Sequence, residues 1–305
     1  MGLSGGPLGS GDLIGLRGGS GPRRVRRRVP AGAALRSTLI ALVSTVLVFA
    51  VLAIVITNAP NWPAVQTAFF NGEIFARSWP KVVEAFGTNV ALFLIAEVLI
   101  LAFGLVLAVL RGLPGPALFP VRLLATVYVD LFRAVPSILV IYLLGFGIPG
   151  LGIAGVPNDV FFWGVISLTL VYSAYVSEVY RAGIESVHWS QEAAARSLGL
   201  NRFQALRYVI VPQAVRRVIP PLLNDFIGLQ KDTVLVSFIG VVEIFRTAQI
   251  KQSASFNFTP YVAVAVIFLL VTIPLARFTD WLLARQGVGR AEAIARGAAP
   301  VGGVR

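Results

Sequence analysis

Several residue types that build catalytic or metal sites are scarce in this chain of 305 residues. It has no cysteine, one methionine and one histidine, His188, and only 13% of its residues are charged. The lack of cysteine excludes disulfides, thiolate metal ligands and a cysteine nucleophile. Because a single histidine also leaves no zinc or copper ligand set, we expect neither a metal site nor catalytic residues in this chain.

Apolar residues, in contrast, make up 56% of the sequence, and the mean hydropathy is +0.80. Soluble domains usually have about a quarter of their residues charged, since polar side chains must cover their surface. The composition therefore predicts an integral membrane protein.

Six apolar stretches are about long enough to cross the ~30 Å hydrocarbon core of a bilayer as helices. They cover residues 37–57, 88–110, 123–148, 160–180, 218–239 and 261–283. The first is longer than the apolar region of a cleaved signal peptide, which favours an uncleaved signal anchor. The fifth contains Asn224, Asp225 and Lys231, so we expect other helices to enclose it. The predicted fold class is an all-α polytopic membrane protein with about six spans.

The distribution of basic residues predicts the orientation of these spans. With the N-terminus inside, 20 of the 26 Lys and Arg fall in the predicted inside segments and four in outside loops. This asymmetry follows the positive-inside rule, predicts that both termini are cytoplasmic, and explains the net charge of +12 without nucleic acid. Residues 58–82 are then an external loop. The Gly- and Arg-rich ends, 1–36 and 285–305, are predicted to be disordered.

The inside segment 184–214 has the pattern of two short helices joined at a glycine. Ser190 is placed to cap the first helix, and Glu192 lies in its positively polarised first turn. Gly199 suits the left-handed residue that ends a helix, and Asn201 is placed to cap the second. The small side chains of Ala193 and Ala194 and the apolar residues around them predict a docking surface for another protein. The apolar residues are Trp189, Leu198, Phe203 and Leu206.

This segment resembles the coupling loop of the inner-membrane permease subunits of binding-protein-dependent ABC importers. The resemblance rests on Glu192-Ala193-Ala194, on Gly199 and on the later run 211–214, Val-Pro-Gln-Ala. Three flanking runs, 128–136, 174–183 and 221–240, are similar to the polar amino-acid branch of that family. The likeness extends over residues 83–284. This sequence departs from the family in having Ser190 where glycine is usual, and in reading Phe-Arg-Ala-Val-Pro at 132–136 where Phe-Arg-Gly-Thr-Pro is usual.

The resemblance implies a type I importer permease (MetI-like) core of five helices, preceded here by one extra N-terminal helix. It implies that Glu192, Ala193, Ala194 and Gly199 couple the permease to a separate ATP-binding subunit. From their apolar character and their place beside these residues, Trp189 and Leu198 are expected to contact the same subunit. The resemblance also implies a second permease subunit, an extracytoplasmic substrate-binding protein, a polar amino acid as the substrate, and location in the bacterial cytoplasmic membrane. The sequence has no G-x-x-x-x-G-K-[ST] loop, so we expect no cofactor in this chain and ATP only in the partner.

Ionisable residues inside predicted spans are costly in lipid and are expected to face one another or a polar path. Asp130 and Arg133 are three residues apart and can pair on one helical face. Such a pair can be structural, or Arg133 and Glu178 can meet the charged groups of a transported amino acid. Ser137 follows Pro136, where the span can be kinked or hinged, and joins Asp130 as a candidate for the substrate path.

Two other classes of membrane protein fit the pattern of spans less well. A secondary transporter driven by an ion gradient often has two related halves, and the sequence has no visible internal repeat. A membrane-embedded enzyme needs a catalytic constellation, which a chain with no cysteine and one histidine can hardly supply.

Overall fold

The computed structural model describes residues 31–285, and all the regular structure in that range is helical. This agrees with the predicted fold class, since helices satisfy their own backbone hydrogen bonds in lipid. A π-helical turn lies at Leu143–Gly147, another at Leu206–Ile210, and a 3-10 helix at Thr233–Ile239. The α-helices are α1 (Ala31–Thr57), α2 (Trp62–Phe69), α3 (Gly72–Arg111), α4 (Phe119–Ala134), α5 (Ser137–Tyr142), α6 (Ile148–Gly150), α7 (Val160–Glu185), α8 (Trp189–Ser197), α9 (Arg202–Ala205), α10 (Val211–Asp232), α11 (Ile244–Ser255) and α12 (Thr259–Arg285).

The chain divides into two compact units, residues 1–62 and 63–305. The first unit contains α1, whose stretch Thr38–Thr57 is long and apolar enough to cross a membrane. The helix begins at Ala31, within the predicted disordered segment 1–36, because the alanine-rich run there favours helix. The rest of that segment and residues 286–305 lie outside the described residues.

Within the described residues, four helices are long and apolar enough to span a membrane. Two bent helix pairs bring the number to six if each pair is one span. One pair joins Phe119–Ala134 to Ser137–Gly150 with a bend of 105°, and the other joins Arg202–Ile239 to Ile244–Ser255 with a bend of 51°. The predicted six spans thus correspond to four continuous helices and two broken ones.

The predicted span over 123–148 is interrupted at Val135 and Pro136, where the sequence indicates a kink or hinge. Proline has no backbone N–H to donate and disfavours helical geometry in the residue before it. Val135 accordingly has φ −87° and ψ 132°, and Pro136 has φ −56° and ψ 133°. The chain restarts as helix at Ser137, with Leu139 N–H donating to the Pro136 carbonyl at 2.9 Å.

Two segments predicted as loops are helical instead. Most of 58–82 is occupied by α2 and the first turns of α3, and residues 240–260, which connect the fifth and sixth predicted spans, contain α11. The sequence pattern missed both because each segment mixes polar and apolar residues. The N-terminus of α3 is capped by Asn71, whose side chain accepts from Ile74 N–H at 3.0 Å.

The central contact of the larger unit is the packing of α3 against α7. At Gly104 of α3, an added Cβ would lie 2.8 Å from Val176 Cγ1 and 3.2 Å from the Ser173 carbonyl oxygen, both on α7. Membrane helices approach closely where small residues meet in this way. Buried apolar side chains then continue the core on both sides of this contact. They include Leu92, Ile100, Ile141, Leu168, Leu229 and Val236.

We predict that Gly104→Ala destabilises the larger unit, because the new methyl group forces α3 and α7 apart. Overpacking of this kind costs about 1–3 kcal/mol. Gly87 is the matched control, since it lies on the same helix and an added Cβ there meets nothing within 4 Å. Thermal unfolding of the detergent-solubilised protein should show a lower midpoint for Gly104→Ala only. Equal midpoints for the two variants would show that the helices are not in tight contact at Gly104.

Candidate functional site

The segment 184–214 forms a helical hairpin of α8 and α9 between the long helices α7 and α10. Its first helix is capped by His188, whose ring Nδ1 accepts from Ser190 N–H at 3.3 Å. The predicted cap at Ser190 is therefore wrong, because the helix begins at Trp189. The Ser190 hydroxyl lies 2.8 Å from the same ring nitrogen, so it supports the cap instead.

Gly199 ends α8 in the left-handed conformation, with φ +87°, as the sequence pattern predicts. Two hydrogen bonds close this end: Gly199 N–H donates to the Arg196 carbonyl at 3.0 Å and Leu200 N–H to the Ala195 carbonyl at 3.2 Å. This is the Schellman arrangement, which fixes the direction in which the chain leaves a helix.

The second helix starts at once after this turn, since Asn201 forms a capping box with Gln204. The Asn201 side chain accepts from Gln204 N–H at 2.8 Å, and the Gln204 side chain accepts from Asn201 N–H at 2.9 Å. Both orphan donors of the helix start are thereby satisfied. Both caps are thus formed by hydrogen bonds within the segment 184–214.

The outer face of the hairpin is unusually apolar for an exposed surface. Leu198 is 83% exposed, Trp189 74% and Phe203 66%. Ala193 and Ala194 are exposed beside them, whereas Ala195 is buried against the hairpin itself. Exposed apolar residues grouped in this way are typical of a protein docking surface.

The hairpin is attached to both flanking helices. Arg217 of α10 donates from Nη1 to the Ser186 carbonyl at the end of α7. Gln213 Nε2 lies 3.4 Å from Gln191 Oε1 of α8. A cavity of about 340 Å³ at the base of the hairpin is lined by Glu192 and Arg202, among others. The side chain of Glu192 is therefore half-buried and not fully exposed on the surface of the hairpin.

A cluster of charges lies on α7 just before the hairpin. Glu178 accepts from Arg111 of α3 at 2.6 Å and from Arg181 at 2.7 Å, and Arg133 of α4 lies 3.5 Å away. Arg181 also donates to Glu185 at 2.6 Å. The side chain of Glu178 is only 17% exposed and that of Arg111 11%. Three helices are thus joined by one carboxylate.

The predicted pairing of Asp130 with Arg133 is wrong in this structure. Arg133 turns towards α7, where it lies beside Glu178 and 5.8 Å from the centre of the Tyr175 ring. Asp130 is exposed and takes part in no ion pair of residues 31–285. Ser137 is half-buried at the start of α5, just after the helix break. The structure therefore brings Arg133 and Glu178 together but leaves Asp130 apart.

A buried polar junction between α3 and α11 was not predicted. Glu243 is fully buried and caps α11, accepting from Phe245 N–H at 3.0 Å and Arg246 N–H at 2.7 Å. Asn89 of α3 donates to Glu243 at 2.9 Å and to the Thr233 hydroxyl at 3.1 Å. The only sign of this junction in the sequence was Asn89, a polar residue inside the predicted span 88–110. Glu243 lies between two predicted spans, where a charged residue does not indicate burial.

Comparison with known proteins agrees with this architecture. Residues 100–288 match the family described as the binding-protein-dependent transport system inner membrane component. The chain belongs to this family.

Relatives of this permease are found in several bacteria. It is 36% identical to the "Probable glutamine ABC transporter permease protein GlnM" of Bacillus subtilis, with 62% of this chain and 87% of that protein covered. It is 34% identical to the "Glutamate transport system permease protein GluC" of Corynebacterium glutamicum, with 66% and 92% covered. The extra helix α1 lies outside the family match, which begins at residue 100.

Among the solved structures that resemble this permease are two transporters of amino acids. A chain from the "Crystal structure of an amino acid ABC transporter with histidines" superposes with a TM-score of 0.62 at 32% identity, covering 68% of this chain and 94% of that one. A chain of the MetNI methionine ABC transporter, in inward-facing form, superposes with a TM-score of 0.53 at 17% identity, with 67% and 95% covered. The second likeness shows the fold alone, and it confirms the expected type I importer architecture.

We predict that Glu178→Gln destabilises this permease more than Glu185→Gln does. Loss of the Glu178 charge leaves Arg111, Arg181 and Arg133 facing one another, at a cost of about 1–3 kcal/mol. The Glu185 side chain is 60% exposed, and among residues 31–285 it pairs only with Arg181. Its loss should cost less than ~1 kcal/mol, as for other surface pairs. Thermal midpoints of the purified variants provide the measurement, and a larger shift for Glu185→Gln would contradict the assignment.

Proposed function

We propose that this chain is the membrane-spanning subunit of an ATP-binding-cassette importer that carries a polar amino acid into a bacterial cell. The hairpin with its exposed apolar face is the observation that supports this proposal most strongly. The matched relatives include proteins named for glutamine and glutamate transport. In this assignment the chain pairs with a second permease subunit, and a separate binding protein delivers the amino acid.

The hairpin is the docking element for an ATP-binding subunit. Trp189, Leu198 and Phe203 supply apolar contact area, and Ala193 and Ala194 let a partner approach closely because their side chains are small. Gly199 and the caps keep these residues in a fixed arrangement. Since the chain contains no phosphate-binding loop, ATP binds and is hydrolysed in the partner, and this chain performs no chemistry of its own.

Movement of the hairpin reaches the transport path through α7 and α10. The contacts of Arg217 with the Ser186 carbonyl and of Gln213 with Gln191 attach the hairpin to these helices. ATP-driven movement of the partner shifts the equilibrium between the conformations of the permease. The size of this shift is limited by how much the free energy of the hairpin contacts differs between the conformations. Glu178, at the centre of the charged cluster, precedes the last residue of α7, Glu185, by seven residues, roughly 10 Å along that helix.

Within this cluster, Arg133 is the residue best placed to meet a transported amino acid. Its side chain is 43% exposed, and its contact with Glu178 is the longest of the three, at 3.5 Å. Glu178 is already held by Arg111 and Arg181, so its role is to organise the cluster. Asp130 and Ser137 complete the candidate path on α4 and α5, on either side of the break at Pro136.

The inside location of the hairpin follows from the positive-inside rule, with both chain ends in the cytoplasm. Arg196, Arg202 and Arg207 lie in the hairpin, and Arg216 and Arg217 follow it. An ATP-binding subunit is then within reach on the same side.

We predict that Leu198→Asp prevents stable binding of the ATP-binding subunit, because it places a charge on the apolar docking face. Loss of a central apolar contact should weaken the complex by about tenfold or more. The control is Phe256→Asp, which changes a residue of the α11–α12 turn that is also highly exposed, at 87%. Co-purification of the co-expressed ATP-binding subunit and ATP-dependent uptake in proteoliposomes are the two measurements.

Both should be lost in Leu198→Asp, and co-purification should be retained in Phe256→Asp. Uptake that continues without the ATP-binding subunit, driven by an ion gradient, would overturn the proposal in favour of a secondary transporter.

A further inference from the structure

An open cleft lies between α3 and α11, at the end of the bundle opposite the hairpin. It has a volume of about 630 Å³ and is lined by Lys81, Glu84, Thr88, Thr247, Ile250 and Lys251, among others. Glu84 precedes Arg111 on the same helix by 27 residues, about 40 Å at 1.5 Å per residue. Because Arg111 reaches the cluster just before the hairpin, the cleft and the hairpin are separated by more than the ~30 Å hydrocarbon core.

The charges of the cleft come from two different helices. On α3, Lys81 Nζ donates to Glu84 Oε2 at 2.8 Å, and both side chains are largely exposed. On α11, Lys251 is half-buried and pairs with no carboxylate of residues 31–285. The other basic residues predicted on this side are engaged: Arg77 pairs with Glu73 and Arg246 donates to Gln249. Lys251 therefore offers an unused positive charge.

The walls of the cleft are fixed relative to each other by the buried junction described above. Asn89, next to Thr88 of the lining, donates to Glu243 at 2.9 Å. The side-chain oxygen Oδ1 of Asn89 in turn accepts from the N–H of Ile244, the first residue of α11, at 3.0 Å. A site with walls held in this way loses little freedom when a ligand binds.

We propose that this cleft is an entry site that binds the zwitterionic head group of a free amino acid before translocation. The α-carboxylate pairs with Lys251, with the neighbouring hydroxyl of Thr247 as a further donor. The α-ammonium pairs with Glu84, which has a second carboxylate oxygen beyond the one that Lys81 uses. The apolar side chain of Ile250 lines the cleft for the rest of the ligand. The volume falls within the ~300–1,000 Å³ that is common for sites of small molecules.

The charge of the lining also sets a preference among amino acids. The two lysines and one glutamate leave one excess positive charge, which favours ligands with an acidic or neutral side chain. L-glutamate and L-glutamine should therefore bind more tightly than L-arginine, by about tenfold, the equivalent of ~1.4 kcal/mol. This inference rests on the proposed function and adds a binding site and a substrate preference to it.

The test is equilibrium binding of radiolabelled L-glutamate, L-glutamine and L-arginine to the full-length permease, with its ATP-binding subunit, in lipid nanodiscs without binding protein or ATP. We expect millimolar or tighter binding of the first two. Lys251→Gln and Glu84→Gln should each weaken it by about tenfold. Arg77→Gln is the control, since Arg77 lies on the same helix but pairs with Glu73 away from the lining. Thermal midpoints of all variants should match that of the parent protein.

The same surface could instead be a docking site for the binding protein. Binding of that protein to the same variants, measured by surface plasmon resonance, distinguishes this role from amino-acid binding. Unchanged docking with weakened amino-acid binding supports the proposal. No binding to the parent protein at millimolar concentration, equal binding in Lys251→Gln, or loss of docking with unchanged amino-acid binding would each overturn it. The proposed function fails on different grounds, namely if the complete system with ATP imports no amino acid.

Discussion

The ion pairs of the Glu178 carboxylate hold together the three helices that meet just before the hairpin. This carboxylate accepts hydrogen bonds from Arg111 and Arg181 and lies beside Arg133, so that α3, α4 and α7 meet at one group. A charge placed at this depth is tolerated because it is paired and hydrogen-bonded on several sides. The hairpin follows the C-terminal end of α7, so this junction lies on the helix that leads into the hairpin.

Two other features determine the shape of the hairpin and its attachment to the bundle. Its shape is set by its own caps, at His188, Gly199 and Asn201, so its apolar face exists before a partner binds. Its base is tied to α7 and α10 through Arg217 and Gln213. A surface that is preformed and attached at two points loses little freedom when another protein binds to it.

The sequence predicted the parts of the fold that depend on local patterns. The apolar stretches located the spans, and the glycine and asparagine at 199 and 201 located the turn and the second cap, because these signals reside in neighbouring residues. The break at Pro136 could be anticipated only as a kink or hinge. Its 105° bend depends on how α5 packs, and that is a tertiary property.

The pairings between distant residues could not be read from the sequence. Asp130 and Arg133 have the spacing of a helical pair, yet Arg133 turns to a glutamate on another helix. Glu243 lay in a segment without a clear period, and its burial depends on Asn89, which is 154 residues away in the chain. A one-dimensional pattern contains no information on which helices become neighbours, so these contacts emerged only from the structure.

We propose above all that the hairpin lies on the cytoplasmic side and is bound there by a separate ATP-binding subunit. Since the chain has no cysteine, Ala194→Cys introduces a single reactive thiol that can be labelled with a membrane-impermeant maleimide. We expect the cysteine of Ala194→Cys to be labelled in inside-out vesicles only, and to be protected from the label when the ATP-binding subunit is co-expressed. Labelling in right-side-out vesicles, or labelling that the subunit leaves unchanged, would contradict the proposal.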